Sequence, residues 1–181
     1  MIEMKVKELT LDPLTNVPIV ILREIDGERS LPIWVGIFEA HAIAREIEEF
    51  QTPRPMTHDL IKNIIDGLEC KITRILVSDL KDNTFFAEIS LALNGSEISI
   101  DSRPSDAIAL ALRMSAPIFV EEKVLEEAKS IEFPSSEEGE SGEDGEAEPG
   151  AHAEKPIEVD SEDVKRWLEN LKPDDFLKFE N

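Results

Sequence analysis

Thr84-Phe85-Phe86-Ala87-Glu88-Ile89-Ser90-Leu91-Ala92-Leu93, followed by Asn94-Gly95 and Glu97-Ile98-Ser99-Ile100, is the stretch that decides the fold. Phe85, Ala87, Ile89, Leu91 and Leu93 fall on every second position, the period of a strand with one buried face. Asn-Gly suits both central positions of a type I′ turn, where each residue needs positive φ, so Glu97 to Ile100 should fold back as an antiparallel partner. The sheet therefore contains hairpins, which a doubly wound parallel sheet does not.

Upstream of this hairpin, Glu69 to Leu80 reads as another strand. Before it lies a helix with Thr57 as expected N-cap and Leu60, Ile61, Ile64, Ile65 and Leu68 on its apolar face, with Gly67 near its end. The prolines of Thr52-Pro53-Arg54-Pro55 separate it from an earlier helix carrying Ala40, Ile43, Ala44, Ile47 and Phe50 at helical spacing. Three strands precede that helix. Met4 to Asp12 alternates imperfectly, Val17 to Ile25 is rich in Val and Ile, and Arg29 to Val35 should pair back across a two-residue Asp26-Gly27 loop.

Downstream, Arg103-Pro104-Ser105-Asp106 opens a third helix, Ala107 to Met114, apolar nearly all round and hence expected to be buried. Pro117 to Val120 reads as a short strand and Glu121 to Lys129 as a last helix. The order βββααβββαβα gives an α+β domain over residues 1–134, with three to four helices and a mixed, mainly antiparallel sheet. From Ser135 to Glu154 there are eight acidic residues and no basic one among Gly, Ser, Ala and Pro, the composition of an acidic linker. Residues 155–181 hold an amphipathic helical pattern, with Asp160 as cap and Val164, Trp167, Leu168 and Leu171 as its stripe; it is expected to dock on its own domain or on a second subunit.

The 181-residue chain carries 19 Lys and Arg against 40 Asp and Glu, a net charge of −21. From Ile131 onward there are 17 acidic and 5 basic residues, against 23 and 14 before it, leaving −12 and −9. A protein that held nucleic acid through its overall charge would be basic, so a polyanionic substrate here requires a local basic patch, divalent cations, or both. The single cysteine, Cys70, excludes an internal disulfide framework and fits a reducing, cytoplasmic address. No apolar run reaches membrane-span length, and Met1-Ile2-Glu3-Met4-Lys5 lacks the layout of a signal peptide.

Two segments echo each other: Arg54-Pro55-Met56-Thr57-His58-Asp59 and Arg103-Pro104-Ser105-Asp106. Each sets an arginine and a proline ahead of a helix and an aspartate in its first turn. Pro and Asp are common at helix starts for reasons of structure, because the missing N–H costs nothing there and the dipole favours a negative charge. The functional reading is a phosphate site in which helix N-termini and guanidinium groups hold the anion while carboxylates hold a divalent cation. Glu39 also lies in a first helical turn and fits either reading. His41, about 200° around the helix from Glu39, should face water if Glu39 faces a site. His58 has an intrinsic pKa suited to moving protons, and the bland reading is a solvent-facing histidine at a helix start. His152 falls in the linker, Cys70 reads as a small core residue, and Trp34 as sheet core or a subunit contact. Walker, CxxC, GxSxG and HExxH motifs are absent.

Leu31-Pro32-Ile33-Trp34-Val35-Gly36-Ile37-Phe38-Glu39-Ala40-His41-Ala42-Ile43-Ala44, the first echoed segment with Leu60, and Ser102 to Ala111 together resemble the bifunctional nuclease domain family, in order and with similar spacing over nearly all of residues 2–130. The resemblance implies a barrel-like mixed sheet, a homodimer, and DNase and RNase activity of low sequence preference, as described for plant members. It points to Glu39, Arg54, His58, Asp59, Arg103, Ser105 and Asp106 as the site. The acidic linker and Trp167 segment depart from the plant members' C-terminal motif, which resembles that of nucleotide-excision-repair proteins.

The expected chemistry is metal-assisted phosphodiester hydrolysis, with Asp59, Asp106 and Glu39 holding Mg²⁺ or Mn²⁺, Arg54, Arg103 and Ser105 binding substrate, and His58 shuttling a proton. The competing reading is a non-catalytic dimeric binding or regulatory module. A third role, autoinhibition by an acidic linker that mimics nucleic acid, would be excluded by unchanged nucleic-acid affinity after deletion of residues 135–181.

Overall fold

Asn94 and Gly95 adopt φ of 51° and 81°, the left-handed pair that a type I′ turn requires, and Leu93 faces Ser96 across it. This hairpin joins β5 (Thr84–Leu93) to β6 (Ser96–Ser102) in the computed structural model, which describes residues 1–13 and 15–130. A second two-residue loop, Asp82-Asn83, with both residues at positive φ, joins β4 (Lys71–Lys81) to β5. The linker of residues 135–154 and the segment 155–181, including Asp160 and Trp167, lie outside the described residues.

The remaining elements are β1 (Ile2–Leu11), β2 (Pro18–Glu24), β3 (Ser30–Trp34), α1 (Ile37–Ile47), α2 (Thr57–Gly67), α3 (Pro104–Met114), β7 (Ile118–Val120) and α4 (Glu122–Ser130). Their order along the chain is the βββααβββαβα expected. The seven strands form one sheet in the order β3-β2-β1-β7-β4-β5-β6, antiparallel throughout except for the parallel β4–β7 pair. The architecture is therefore α+β with a mixed, mainly antiparallel sheet. It does not close: β3 and β6 are its edges among the described residues, so the barrel-like sheet that the resemblance implies is an open one.

Two local expectations are corrected. β2 and β3 are joined by the five residues Ile25 to Arg29, not by a two-residue turn; Gly27 does not adopt positive φ, and Arg29 Nε and Nη2 donate back to Glu24 at 3.0 and 2.8 Å. The imperfect alternation of β1 has a cause, since its register against β2 shifts between Val6 and Glu8, where a bulge moves the side chains onto the other face.

Buried Ile72, Ile75, Val77, Ile89, Ile118 and Val120 from the central strands meet the helices. α3 lies against β4 and β5 and is buried nearly all round, as its composition predicts; even Pro104, Ser105 and Arg113 are covered. α1 packs on α3, and the small side chains of Ala40, Ala44, Ala107 and Ala111, all buried, allow two backbones to approach closely. α2 packs on α3 as well, so α3 is the central strut on which the starts of α1 and α2 are hung.

Candidate functional site

Glu39, Asp59 and Asp106 each occupy the third position of a helix: α1, α2 and α3 respectively. An acid there suits the helix dipole, and three such helices begin around one cleft of about 230 Å³. Phe38 and Glu39 from the first turn of α1, Met56, Thr57 and His58 from the start of α2, and Arg103 and Asp106 from the start of α3 all line it. Helix starts expose N–H groups without intrahelical partners, so their convergence biases this cleft toward anions.

The two echoed segments meet here. His58 Nε2 lies 2.9 Å from Asp106 Oδ1, a contact spanning 48 residues of sequence. Arg103 Nε donates to Asp106 Oδ2 at 2.6 Å, and Arg103 Nη2 reaches Glu39 Oε1 at 2.8 Å. The outer network therefore runs Glu39–Arg103–Asp106–His58. Its members differ in freedom: the Arg103 side chain is 65% exposed, whereas His58 is buried. Hydrogen bonds to His58 and Arg103, working against burial, hold the Asp106 carboxyl below its ordinary 3.8.

A second network lies behind the first. Arg113 Nε donates to Asp59 Oδ1 at 2.7 Å, Arg113 Nη1 donates to the Ala109 carbonyl at 2.9 Å, and Arg45 Nη2 approaches Asp59 Oδ2 at 3.6 Å. Asp59 Oδ2 also accepts the Met56 backbone N–H at 2.9 Å, so Met56 rather than Thr57 is the N-cap of α2. Asp106 and Arg113 are seven residues apart, two turns on one face of α3, and they grip the neighbouring residues His58 and Asp59 of α2. Burial works to raise the Asp59 pKa, but hydrogen bonds from Arg113 and Met56, with the charges of Arg113 and Arg45, outweigh it and hold the carboxyl below 3.8.

Arg45 and Arg113 carry no sequence signature. Each sits in the last turn of a helix, where a cation simply favours the dipole, and only the fold brings them under the cleft. The cleft lining consequently holds three guanidinium groups, Arg45, Arg103 and Arg113, against the carboxylates of Glu39 and Asp106. With Asp59 behind them the three cations are matched by three carboxylates, so the cleft is not a net basic patch, and Arg103 is the one of the three arginines that is largely exposed.

His41 lines the same cleft as Glu39 and is half-buried, because the recess follows the Phe38, His41, Ala42 and Arg45 flank of α1, while Glu39 meets Arg103. Burial first, and the nearby Arg45 charge second, push its pKa below 6.5. Arg54 and Ser105 are not among the lining residues: Arg54 is exposed, with its carbonyl accepting the Thr52 hydroxyl at 2.6 Å, and Ser105 is buried in the first turn of α3. Asp59 stands behind the lining. Trp34 is half-buried, its Nε1 donating to Asp12 Oδ2 at 3.2 Å, and Cys70 is a free thiol packed at the core margin.

The expected divalent cation finds no ready set of ligands. Among the described residues no group of three or more His, Cys, Asp or Glu side chains is arranged to hold a metal ion. The Arg103 guanidinium bridges Glu39 and Asp106 where a cation would have to sit, and Asp59 is committed to Arg113 and Arg45. As arranged, these carboxylates do not fit Mg²⁺ or Mn²⁺.

A larger concavity, about 510 Å³, lies beside β4 and the β5–β6 turn, lined by Thr73, Arg74, Ala92, Gly95, Ser96, Glu97, Pro117 and Phe119. Its lining offers Arg74 and Glu97, paired at 3.4 Å, and no imidazole. No helix of the described residues is long and apolar enough to cross a membrane.

A model of the bifunctional nuclease domain matches residues 20–132. The chain is 38% identical over 174 residues to an uncharacterized protein of Mycobacterium tuberculosis, covering 96% of this chain and 97% of that one. It is 26% identical over 109 residues to bifunctional nuclease 1 of Oryza sativa subsp. indica and 30% identical over 109 residues to bifunctional nuclease 1 of Arabidopsis thaliana. These matches cover 58% of this chain but only 33% and 34% of the two plant proteins.

Proposed function

Because the chain belongs to the bifunctional nuclease domain family, we propose that it cleaves phosphodiester bonds of nucleic acid in the cleft between the starts of α1, α2 and α3. The observation that carries this reading is the His58–Asp106 contact at 2.9 Å beside the exposed Arg103. Asp106 fixes the imidazole by one ring nitrogen and leaves the other to take a proton from an attacking water or give one to the leaving oxygen. Arg103, held between Glu39 and Asp106 in the absence of substrate, can turn its fork to a phosphate and offset the charge that develops during cleavage. Asp59, Arg45 and Arg113 act as positioning residues that set α2 against α3. No step is assigned to a metal.

Partners and address follow the same reading. α2 and its C-cap expose Leu60, Ile64 and Leu68 at i, i+4 and i+8, an apolar stripe along one face, and we assign it to a homodimer contact. The same stripe favours the second reading, a non-catalytic dimeric binding module. A cytoplasmic address fits the free thiol of Cys70. The test is cleavage of single- and double-stranded DNA and RNA by wild type, His58→Ala and Asp106→Asn, purified identically, with solution mass measured alongside. Cleavage by wild type and not by the variants supports the nuclease; a stable dimer that binds nucleic acid and cleaves none of the four supports the module.

A further inference from the structure

The concavity of about 510 Å³ beside the β5–β6 turn takes no part in the nuclease reading. Ala92 in its lining lies opposite Lys71 on β4 and Glu97 on β6, and residues directly opposite share one face of a sheet. The adjacent pair, Leu91 and Ile98, points to the other face, where Leu91 joins the core. The concavity therefore opens on the face turned away from that core. Ala92, Pro117 and Phe119, all half-buried, give it an apolar lining. Its polar side is unfinished: Arg74 Nε is buried without a hydrogen-bond partner among the described residues, and Arg74 Nη2 lies 3.4 Å from Glu97 Oε1. Buried N–H groups are nearly always paired, so this one fits an acceptor brought by whatever covers the concavity.

The chain itself supplies a matching occupant. Beyond Ser130 lie 51 residues, and among them Val164, Trp167, Leu168 and Leu171 repeat at helical spacing. Glu158, Asp160, Glu162 and Asp163 precede Trp167, and Lys165 and Arg166 adjoin it. The concavity has a counterpart for each sign: Lys71 and Arg74 on β4, and the exposed Glu3, which lies opposite Phe119 on the β1 side. The exposed stripe of α2 lacks this complement, since the one lysine of that helix, Lys62, is paired with Asp66 at 2.7 Å.

Reach is sufficient. α4 has nine residues and begins at Glu122, so Ser130 lies within about 25 Å of Phe119. A coil of the 36 residues that separate Ser130 from Trp167 spans about 30–36 Å. The mycobacterial match, over 174 residues and 96% of this chain, leaves about seven residues out and so runs through most of the stretch after Ser130. Domain and tail share one chain there too, as an occupant supplied in cis requires.

We propose that residues 158–171 dock in this concavity of their own chain, with Trp167 as the aromatic anchor against Pro117 and Phe119. The proposal stands apart from the nuclease reading, which concerns the other cleft.

The test puts a photocrosslinker at the anchor. The full chain carrying Trp167→p-benzoylphenylalanine is irradiated, separated on a denaturing gel and digested for mass spectrometry. The expected product has the mass of one chain and joins residue 167 to the peptide bearing Pro117 and Phe119 or to the one bearing Ala92. Moving the crosslinker to position 169 with Glu169→p-benzoylphenylalanine, on the opposite side of the helical pattern, should lose that product. A product joined to residues 60–68 would seat the tail on α2, and one with the mass of two chains would seat it on another copy. Either result would overturn the proposal, as would the absence of any crosslink or an equal yield from position 169.

Discussion

Asp59→Ala should cost stability before it costs chemistry. Asp59 faces two guanidinium groups whose side chains are 3% and 6% exposed, Arg113 at 2.7 Å and Arg45 at 3.6 Å. Removing one partner of a buried ion pair leaves an uncompensated charge, at about 3–5 kcal/mol. The carboxylate itself is 26% exposed, and Arg113 keeps the Ala109 carbonyl and a 3.9 Å approach to Glu46, so the lower end of that range applies. Loss of the bond to the Met56 N–H adds about 1 kcal/mol. A total of about 4 kcal/mol is a large share of the roughly 5–15 kcal/mol available to a domain. For a domain of this size it lowers the melting temperature by about 10–20 °C. Thermal denaturation followed by circular dichroism is the assay. The double substitution Asp59→Ala with Arg113→Met should recover part of the loss, since it removes the stranded cation along with its partner. If Asp59→Ala melts within about 3 °C of wild type, the buried-pair reasoning is wrong and Asp59 returns to the list of candidate catalytic groups.

Asp106→Asn should lower cleavage by about 10²–10⁴-fold, the usual contribution of acid–base catalysis, with a smaller effect on melting than Asp59→Ala because its partner Arg103 is largely solvated; paired rate and melting measurements check this. Asp59 and Asp106 both have folded-state pKa values below 3.8, so their stabilisation is fully present above that pH and is lost as pH falls through the lower folded values. Melting temperature measured against pH should accordingly be flat near neutrality and drop below about pH 4. Gly36→Ala should alter activity more than stability: a Cβ there meets Glu39 Oε2 at 2.2 Å, and that flexible carboxylate must move away from its present position next to Arg103. Cleavage should survive excess EDTA, because His58 with Asp106 supplies proton transfer and Arg103 the phosphate contact without a cation; abolition by EDTA with restoration by Mn²⁺ would show that a cation takes the place between Glu39 and Asp106.

Most of the fold was legible because its signals are local. Asn94-Gly95 demands left-handed backbone at two positions, Pro53 and Pro55 forbid helix, and the change from period 2 to period 3.6 at Gly36 marks the step from β3 to α1. Asp26-Gly27 misled because the same dipeptide chemistry serves longer loops, and here the Glu24–Arg29 pairing fixes the connection instead. The open sheet was not legible, since closure depends on strand tilt and stagger that no single strand encodes. Of the candidate cleft's lining, His58, Asp106, Arg103 and Glu39 are legible from residue type and helix position. Arg45 and Arg113 were not, because they lie in last turns and reach the cleft only through the packing of α1 and α2 on α3. His41 was misread for a related reason. The helical period separates it from Glu39, but the cleft is lined by both residues and Glu39 pairs with Arg103 within it.

We propose, centrally, that the starts of α1, α2 and α3 form one cleft that breaks phosphodiester bonds through a fixed imidazole. Its most direct measurement is the cleavage rate of single-stranded RNA and DNA by wild type, His58→Ala and Asp106→Asn, each purified by the same protocol and shown to be folded. The account gives cleavage by wild type and loss in both variants. Equal rates in all three preparations would locate the activity outside this cleft and contradict it.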